Sequence, residues 1–405
     1  MSIFSRKESY IGLDIGTSSI KIVELRREGR DQIKLVTYAS AKSAESLASD
    51  QDNVAVTHIS AIAHEMLRRA GVTSSEVVAA LPSLSVFSAV LSLPDMSERD
   101  LEKAVVLAAK NYVPSPLKDV VLGWTAMKDF MPSKSSVAMD KSKGLMSSVA
   151  GNASNVVNLN ATGEKVQEKQ IVPLVAEDSA ELKARRPLAK KNSEIFLTAA
   201  PKELVQRYSA VIDRLDLSLV ALEVESFPLS RSLLGNKKEP ALLVDIGDLA
   251  TNFSIVDNGY LRINQSADIG GAALTKAIVS KFGVSFETAE ARKVSFGLTM
   301  ENEGESTAMA IKPVVKDIID RSLNLKRIFE RKSNKVVGKV VLIGGGANLK
   351  GLAQFWQETS GMPTEVGNPW KGVRVPTALN NKLIANGPSF AVAVGLALRE
   401  LELGD

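Results

Sequence analysis

Cysteine is absent from the 405-residue chain. That excludes disulfides, thiolate metal sites and a cysteine nucleophile. Histidine occurs only as His58 and His64. On a helix these two positions do not share a face, so a histidine metal centre is excluded too. Aromatic residues make up 5% of the chain, too few for base-stacking platforms. No apolar run approaches the roughly 18 residues of a membrane span. Met1 to Ser9 is short and polar, without a signal-peptide core. A soluble, cytoplasmic protein is expected.

What is present suits a globular protein, with 45% hydrophobic and 24% charged residues. The length suits several domains rather than one. The pI near 9 invites a nucleic-acid reading, but the charge is localised. Residues 131–192 hold ten Lys and Arg against six Asp and Glu. That excess equals the +4 of the whole chain, so the remainder is neutral and no basic face is expected. The same window contains no Phe, Trp or Tyr and is rich in Ser, Asn, Lys and Ala. It is expected to be an unfolded surface insertion, since it cannot bury enough apolar surface to offset the entropy of ordering. Within it, Ile171-Val172-Pro173-Leu174-Val175 is either a docking motif or a chance apolar run.

Periodicity places strands at Ile11–Gly16, Lys21–Leu25 and Ile33–Tyr38, with a turn at Gly29-Arg30-Asp31. A helix follows over Val54–Ala70, stopped by Gly71. Strands are expected at Val77–Leu81 and Val86–Leu93, and a helix from Ser97 to Asn111 with Pro114 beyond it. Ile195–Ala199 and Leu219–Val224 read as strands; Lys202–Leu215 and Glu225–Leu234 read as helices. The opening pattern then recurs. Leu242–Ile246 is again an apolar strand ending in Asp-Ile-Gly, followed by a strand at Thr251–Val256. Asn258-Gly259 signals a two-residue hairpin into Tyr260–Ser266. Helices are expected at Ala272–Phe282 and Ile311–Lys332, a strand at Val340–Ile343, and a small-residue helix from Pro388 to Leu401.

The repeated turn carries chemistry. A tight glycine turn lets backbone N–H groups face an anion without a Cβ in the way. Gly16, Thr17 and Ser18 supply donors in the first copy, and Lys21 adds an ammonium near a terminal phosphate. Gly247 and Asp248 form the second clamp. Asp14 and Asp245, each at a strand end, would face each other across a cleft. Two carboxylates around a polyphosphate repel it unless a cation intervenes, and Mg²⁺ suits carboxylates, phosphate oxygens and water. Gly344, Gly345 and Gly346 follow a strand and leave room for the flat face of a nucleoside. A single apolar-Asp-Ile-Gly is common in strands. Two copies in matching context followed by strand-Gly-Gly-Gly are far more specific. Neither GxxxxGK[ST] nor a strand-borne GxGxxG is present.

This order of motifs resembles the actin-like ATPase superfamily, which includes actin, MreB, FtsA, heat-shock chaperones and sugar kinases. Within it, the chain resembles the PilM family of type IV pilus assembly proteins. The segments that carry the likeness are Gly12-Leu13-Asp14-Ile15-Gly16-Thr17-Ser18-Ser19-Ile20-Lys21, Ala200-Pro201-Lys202-Glu203-Leu204, Glu223-Val224-Glu225-Ser226-Phe227, Arg321-Ser322-Leu323, Gly344-Gly345-Gly346-Ala347-Asn348-Leu349, Asn368-Pro369 and Phe390–Ala397. The resemblance covers nearly all of the chain outside 131–192. Asn324-Leu325-Lys326 departs from the Asp-aromatic pair common after Arg-Ser-Leu in the family.

The resemblance implies an α/β, actin-like (ribonuclease H-like) two-lobed fold with an FtsA-like extra subdomain. The implied division puts 1–83 and 221–239 in the first subdomain and 84–220 in the insertion. It puts 240–268 and 338–405 in the second subdomain, and 269–337 in a small nucleotide-side one. It implies ATP and Mg²⁺ as cofactors, with slow or absent hydrolysis. Arg321 and Ser322 would reach the adenosine, and Glu225 would take the water-positioning catalytic place; a solvated helix N-terminus explains Glu225 equally well. The implied role is a cytoplasmic scaffold at the inner-membrane pilus platform. Its partner would be the N-terminal cytoplasmic peptide of a PilN-like membrane protein, docked between the first subdomain and the extra one. Alternatives are an FtsA-like filament-forming division protein or a small-molecule kinase of the same fold. The final residues, Leu401 to Asp405, carry no amphipathic membrane helix of the kind that FtsA ends on.

Overall fold

The computed structural model describes residues 8–29, 32–43, 45–48, 52–127, 154–157, 192–235, 237–300 and 303–402. The sequence expectation for 131–192 therefore lies almost wholly outside the described residues.

The chain opens with an antiparallel meander, β1 (Ser9–Ile15), β2 (Ser19–Glu28) and β3 (Gln32–Lys42), followed by α1 (Asp52–Ala70) and β4 (Glu76–Leu81). β5 (Phe87–Pro94), α2 (Glu98–Tyr112), β6 (Val120–Ala126), β7 (Ser154–Val157) and β8 (Asn192–Pro201) come next. Ser97 caps α2, its side chain accepting from the Asp100 N–H. α3 (Lys202–Arg214), β9 (Ser218–Val224) and α4 (Ser226–Leu234) lead to the second meander, β10 (Ala241–Ile246), β11 (Thr251–Asp257) and β12 (Tyr260–Ala267). Asn258 (φ 55°) and Gly259 (φ 79°) close that last hairpin with the two left-handed residues a type I′ turn requires. The rest is α5 (Gly271–Phe282), α6 (Phe286–Phe296), α7 (Glu303–Ser333), β13 (Lys339–Ile343), α8 (Leu352–Ser360), β14 (Thr364–Val366), β15 (Val373–Arg374) and α9 (Asn380–Glu402).

Among the described residues three sheets result. The first lobe holds β15-β3-β2-β1-β4-β9, the second β12-β11-β10-β13-β14, and the inserted subdomain β5-β8-β6-β7. The two large sheets repeat one plan. β1 pairs antiparallel with β2 and parallel with β4; β10 pairs antiparallel with β11 and parallel with β13. Strands inside such sheets are buried on both faces, so they read as apolar runs rather than alternations.

The domain division differs from the sequence expectation at two places. Helix α9 packs on β1, β2 and α4, and β15 pairs with β3, so residues 373–402 complete the first lobe. Helix α3 packs on α1 and β9, so it also belongs with the first lobe rather than the insertion. Small residues make the α9 packing possible. A Cβ on Gly12 would meet the Ala393 carbonyl oxygen at 1.9 Å, and one on Gly395 would meet the Pro228 oxygen at 1.9 Å. A buried ion cluster fixes the same helix. Glu223 is fully buried and takes Arg231 at 2.9 Å and Arg399 at 3.0 Å. Burial alone would raise the Glu223 pKa, but the two guanidiniums hold it below the ordinary value.

Two long helices also start earlier than expected. α7 begins at Glu303 with Pro313 inside it, and α9 begins at Asn380 with Pro388 inside it. Pro388, which reads as a helix start, is accommodated within α9. The insertion carries a short strand, β7, within the window expected to be unfolded.

Candidate functional site

The two meanders point their first turns at each other, and the registers make the turns equivalent. Asp14 lies opposite Lys21 in the first hairpin, and Asp245 lies opposite Asn252 in the second. Each turn is closed the same way. The Gly16 N–H donates to the Ser19 oxygen at 3.0 Å, and the Gly247 N–H donates to the Ala250 oxygen at 2.9 Å. The second turn is tied to a helix start, because the Gly271 and Ala272 N–H groups donate to the Gly247 and Asp248 oxygens at 2.9 Å.

Four charged groups meet between the turns. Lys21 Nζ lies 3.1 Å from Asp14 Oδ2. The Lys21 ammonium also feels Asp245 and Glu225; burial works against its charge, but Asp14 foremost and then the other two carboxylates hold its pKa above the ordinary value. Burial, reinforced by Asp14, pushes Asp245 up to about 6. Burial, then Asp245 and Asp14, pushes Glu225 up to about 8. Asp14 of the first lobe and Asp245 of the second are thus near enough to act on each other electrostatically. Three carboxylates share one lysine, and buried like charges of that kind call for a compensating cation.

Glu225 is more than a solvated helix end. It precedes α4, its Oε2 accepts from the Ser83 N–H at 3.0 Å, and it accepts from Asn252 Nδ2 at 3.1 Å. Asn252 in turn accepts from Ser266 Oγ at 2.6 Å. Glu225 and Asn252 therefore join the first lobe to the second. Behind the first turn, the buried Tyr208 hydroxyl donates to the Ile15 oxygen at 3.3 Å.

The glycine run closes the floor. At Gly344, where φ is +78°, a Cβ would meet Asp245 Oδ1 at 2.3 Å. At Gly346 one would meet Ile246 Cγ2 at 2.3 Å, whereas nothing lies within 4 Å of one at Gly345. Gly344 and Gly346 are thus set by close packing under Asp245, and Gly345 faces open space. Thr17, Ser18 and Asp248 sit half-buried in the two turns. Arg321 is exposed and pairs with Asp317 at 3.2 Å; Ser322 is fully buried and its hydroxyl donates to the Ile319 oxygen at 2.7 Å.

Sequence reasoning passed over three polar groups at this site. Asn252 had a signal, since it stands seven residues after Asp245 as Lys21 does after Asp14. Lys293 and Glu290 had a weaker one, an (i, i+3) pair on α6, of whose residues only Ala289 and Lys293 are buried. Lys293 Nζ donates to the Gly271 oxygen at 3.1 Å and to Thr275 Oγ1 at 2.9 Å, and lies 2.7 Å from Glu290 Oε2. Burial opposes ionisation of Glu290, yet Lys293, Thr275 and, from the first lobe, Lys42 hold its pKa below the ordinary value.

The donor set fits Mg²⁺ held through water and phosphate oxygens rather than by protein alone. Hard oxygen ligands are present, but among the described residues no three His, Cys, Asp or Glu are placed to hold an ion by themselves.

Two lobes built on one repeated sheet plan, with acidic turns facing across the cleft and an inserted subdomain, define the actin-like ATPase fold. Solved structures agree. The chain has a TM-score of 0.71 and 24% identity to a PilM-PilN type IV pilus biogenesis complex, covering 98% of this chain and 99% of that one. It has a TM-score of 0.52 and 15% identity to the ethanolamine utilization protein EutJ from Carboxydothermus hydrogenoformans, covering 97% and 90%. The family model described as type IV pilus assembly protein PilM matches residues 12–142 and 175–401, and the chain belongs to that family. Among curated proteins it is 22% identical to the cell division protein FtsA of Streptococcus pneumoniae, over 97% of this chain and 80% of that protein. Among the described residues no helix is long and apolar enough to cross a membrane.

Proposed function

We propose that this pilus-assembly family member is a nucleotide-dependent scaffold that binds ATP with Mg²⁺ between its lobes. In this reading Gly16, Thr17, Ser18 and Lys21 hold phosphate from the first lobe, and Gly247 and Asp248 hold it from the second. Asp14 and Asp245 orient the Mg²⁺ waters. Gly344, Gly345 and Gly346 lie under the nucleoside, and Arg321 sits toward the adenosine; Ser322, expected beside it, is fully buried and bonded within its own helix, so it supports that helix instead. Glu225 positions water, with hydrolysis slow or absent. The observation that carries this reading is the single space shared by Asp14, Asp245, Glu225 and Lys21. A divalent cation lying between these carboxylates and a polyphosphate would relieve the repulsion between them.

The second half of the proposal concerns the partner. A relative of the same family, at the TM-score given above, is described as a complex with PilN. We infer that the cytoplasmic N-terminal peptide of a PilN-like inner-membrane protein docks beside the inserted subdomain here. That places the protein in the cytoplasm, held at the inner membrane through its partner. A disordered peptide of this kind gives up ordering entropy on docking, so a few apolar anchors must carry its affinity.

Isothermal titration with ATP and Mg²⁺ tests the first half. Wild-type protein should bind, and Asp14→Ala should lose at least tenfold in affinity, which is about 1.4 kcal/mol. No uptake by the wild type would end the nucleotide reading. Similarity to FtsA keeps filament formation as a second reading; sedimentation with ATP distinguishes it, since the scaffold should remain in the supernatant.

A further inference from the structure

We propose that the outer edge of β6 is a docking edge for an extended peptide, and that β7 is its internal occupant. The identity of the competing peptide rests on the partner reading above; the edge itself does not. The inserted sheet runs β5-β8-β6-β7. Its β5 side is covered by β12 of the second lobe. At the other side, among the described residues, β7 alone pairs with β6. β8 pairs with β6 along its full length, from Val120 to Ala126. β7 covers only part of it, pairing Leu122, Gly123, Trp124 and Thr125 with Val157, Val156, Asn155 and Ser154. A four-residue strand makes few ladder bonds, so it holds its edge weakly, and among the described residues nothing pairs with the ends of β6 on that side.

The edge is bounded on both faces. Leu122 and Trp124 pack with Leu101, Val105 and Ala109 of α2. Val121 packs with Leu204 and Tyr208 of α3. An added strand therefore lies between α2 and the first lobe, and it can place apolar side chains at alternate positions. Trp124 supplies a second, independent observation. It is 3% exposed, and among the described residues its indole N–H has no hydrogen-bond partner. Buried indole N–H groups ordinarily find an acceptor, and an incoming peptide carbonyl or side chain provides one on the strand that receives it. The fitting partner is an extended, antiparallel segment with apolar alternation, longer than β7.

The consequence is competition within one molecule. A strand tethered to the same chain acts at an effective concentration on the order of millimolar. A partner then binds with an apparent affinity reduced by the fraction of molecules whose edge is open.

Two proline substitutions at adjacent residues, Val156→Pro with Val157→Pro, remove a ladder donor whichever of the two faces β6. The probe is the fluorescent N-terminal cytoplasmic peptide of the PilN-like protein, read by anisotropy on the full chain. The double variant should bind it on the order of 10- to 100-fold more tightly than wild type. Equal affinity overturns the internal occupant. If the probe binds neither protein, the partner reading fails, and a second arm decides the edge. In that arm a labelled synthetic peptide of residues 150–161 is added to the double variant. Saturable binding supports the docking edge, and no binding overturns it. Should the proline variant melt below wild type, Val156→Gly with Val157→Gly replaces it and should shift affinity in the same direction by a smaller factor.

Discussion

Glu225 sits where three carboxylates and one ammonium share a half-closed space, and its charge is the most costly of the four. Its pKa near 8 and that of Asp245 near 6 are raised above their ordinary 4.5 and 3.8. A raised carboxyl contributes stability below its unfolded pKa and loses it as pH climbs through the folded value. The nucleotide-free protein should therefore lose melting temperature between about pH 4 and pH 8. Glu225→Gln keeps an acceptor for the Ser83 N–H without the charge, so the variant should melt higher than wild type at pH 8 and show a flatter profile above pH 6. Differential scanning fluorimetry across that range checks it; a wild-type melting temperature that rises from pH 6 to 8 would contradict the argument. The residues at the heart of this site were legible because turn spacing carries them: Asp14, Lys21 and Asp245 come with glycine turns that repeat. Asn252, Glu290 and Lys293 were not legible as a set, because they come from a strand and a helix far apart in sequence.

At the scale of the elements, close approach decides what a substitution does. Gly12 lies on β1 and Gly395 on α9, and each meets backbone where a methyl group would stand. Gly12→Ala and Gly395→Ala should each cost roughly 1–3 kcal/mol, as overpacking does in a filled core. Gly345→Ala meets nothing within 4 Å, so it should leave chemical-denaturation midpoints unchanged while weakening ATP uptake if the nucleoside lies over it. Denaturation and titration on the three variants separate the two effects. Strands and hairpins were readable because their apolar runs end in glycine or Asn-Gly turns. Helix α6 escaped notice for a physical reason, since it buries only Ala289 and Lys293 and so offers no apolar stripe. The start of α9 was misplaced because Pro388 does not stop that helix. That α9 joins the first lobe rests on contacts between distant parts of the chain, which no local pattern encodes.

For the whole molecule, the question is how the cleft communicates with the inserted subdomain, and Arg262 is the side chain that spans the gap. It extends from β12 of the second lobe, lies over the Tyr260 ring at 5.4 Å, and has its Nε 3.5 Å from Asp257. Its Nη1 reaches the insertion, donating to Met127 Sδ at 3.2 Å and to Glu194. Met127 follows β6, and Glu194 lies on β8, the strand that pairs with β6. The Glu194 side chain is 53% exposed, so this bridge adds little to stability. Asp257 keeps Lys335 at 2.7 Å when Arg262 is removed. Arg262→Ala should therefore change folding stability by less than about 1 kcal/mol. Its effect should fall on coupling instead. Binding energies are reciprocal, so any factor by which ATP changes peptide affinity must equal the factor by which peptide changes ATP affinity. Measured in both directions, that factor should shrink toward one in Arg262→Ala while each ligand alone still binds at nearly its wild-type affinity. A variant that keeps the full factor would show that the cleft and the insertion communicate by a route other than Arg262.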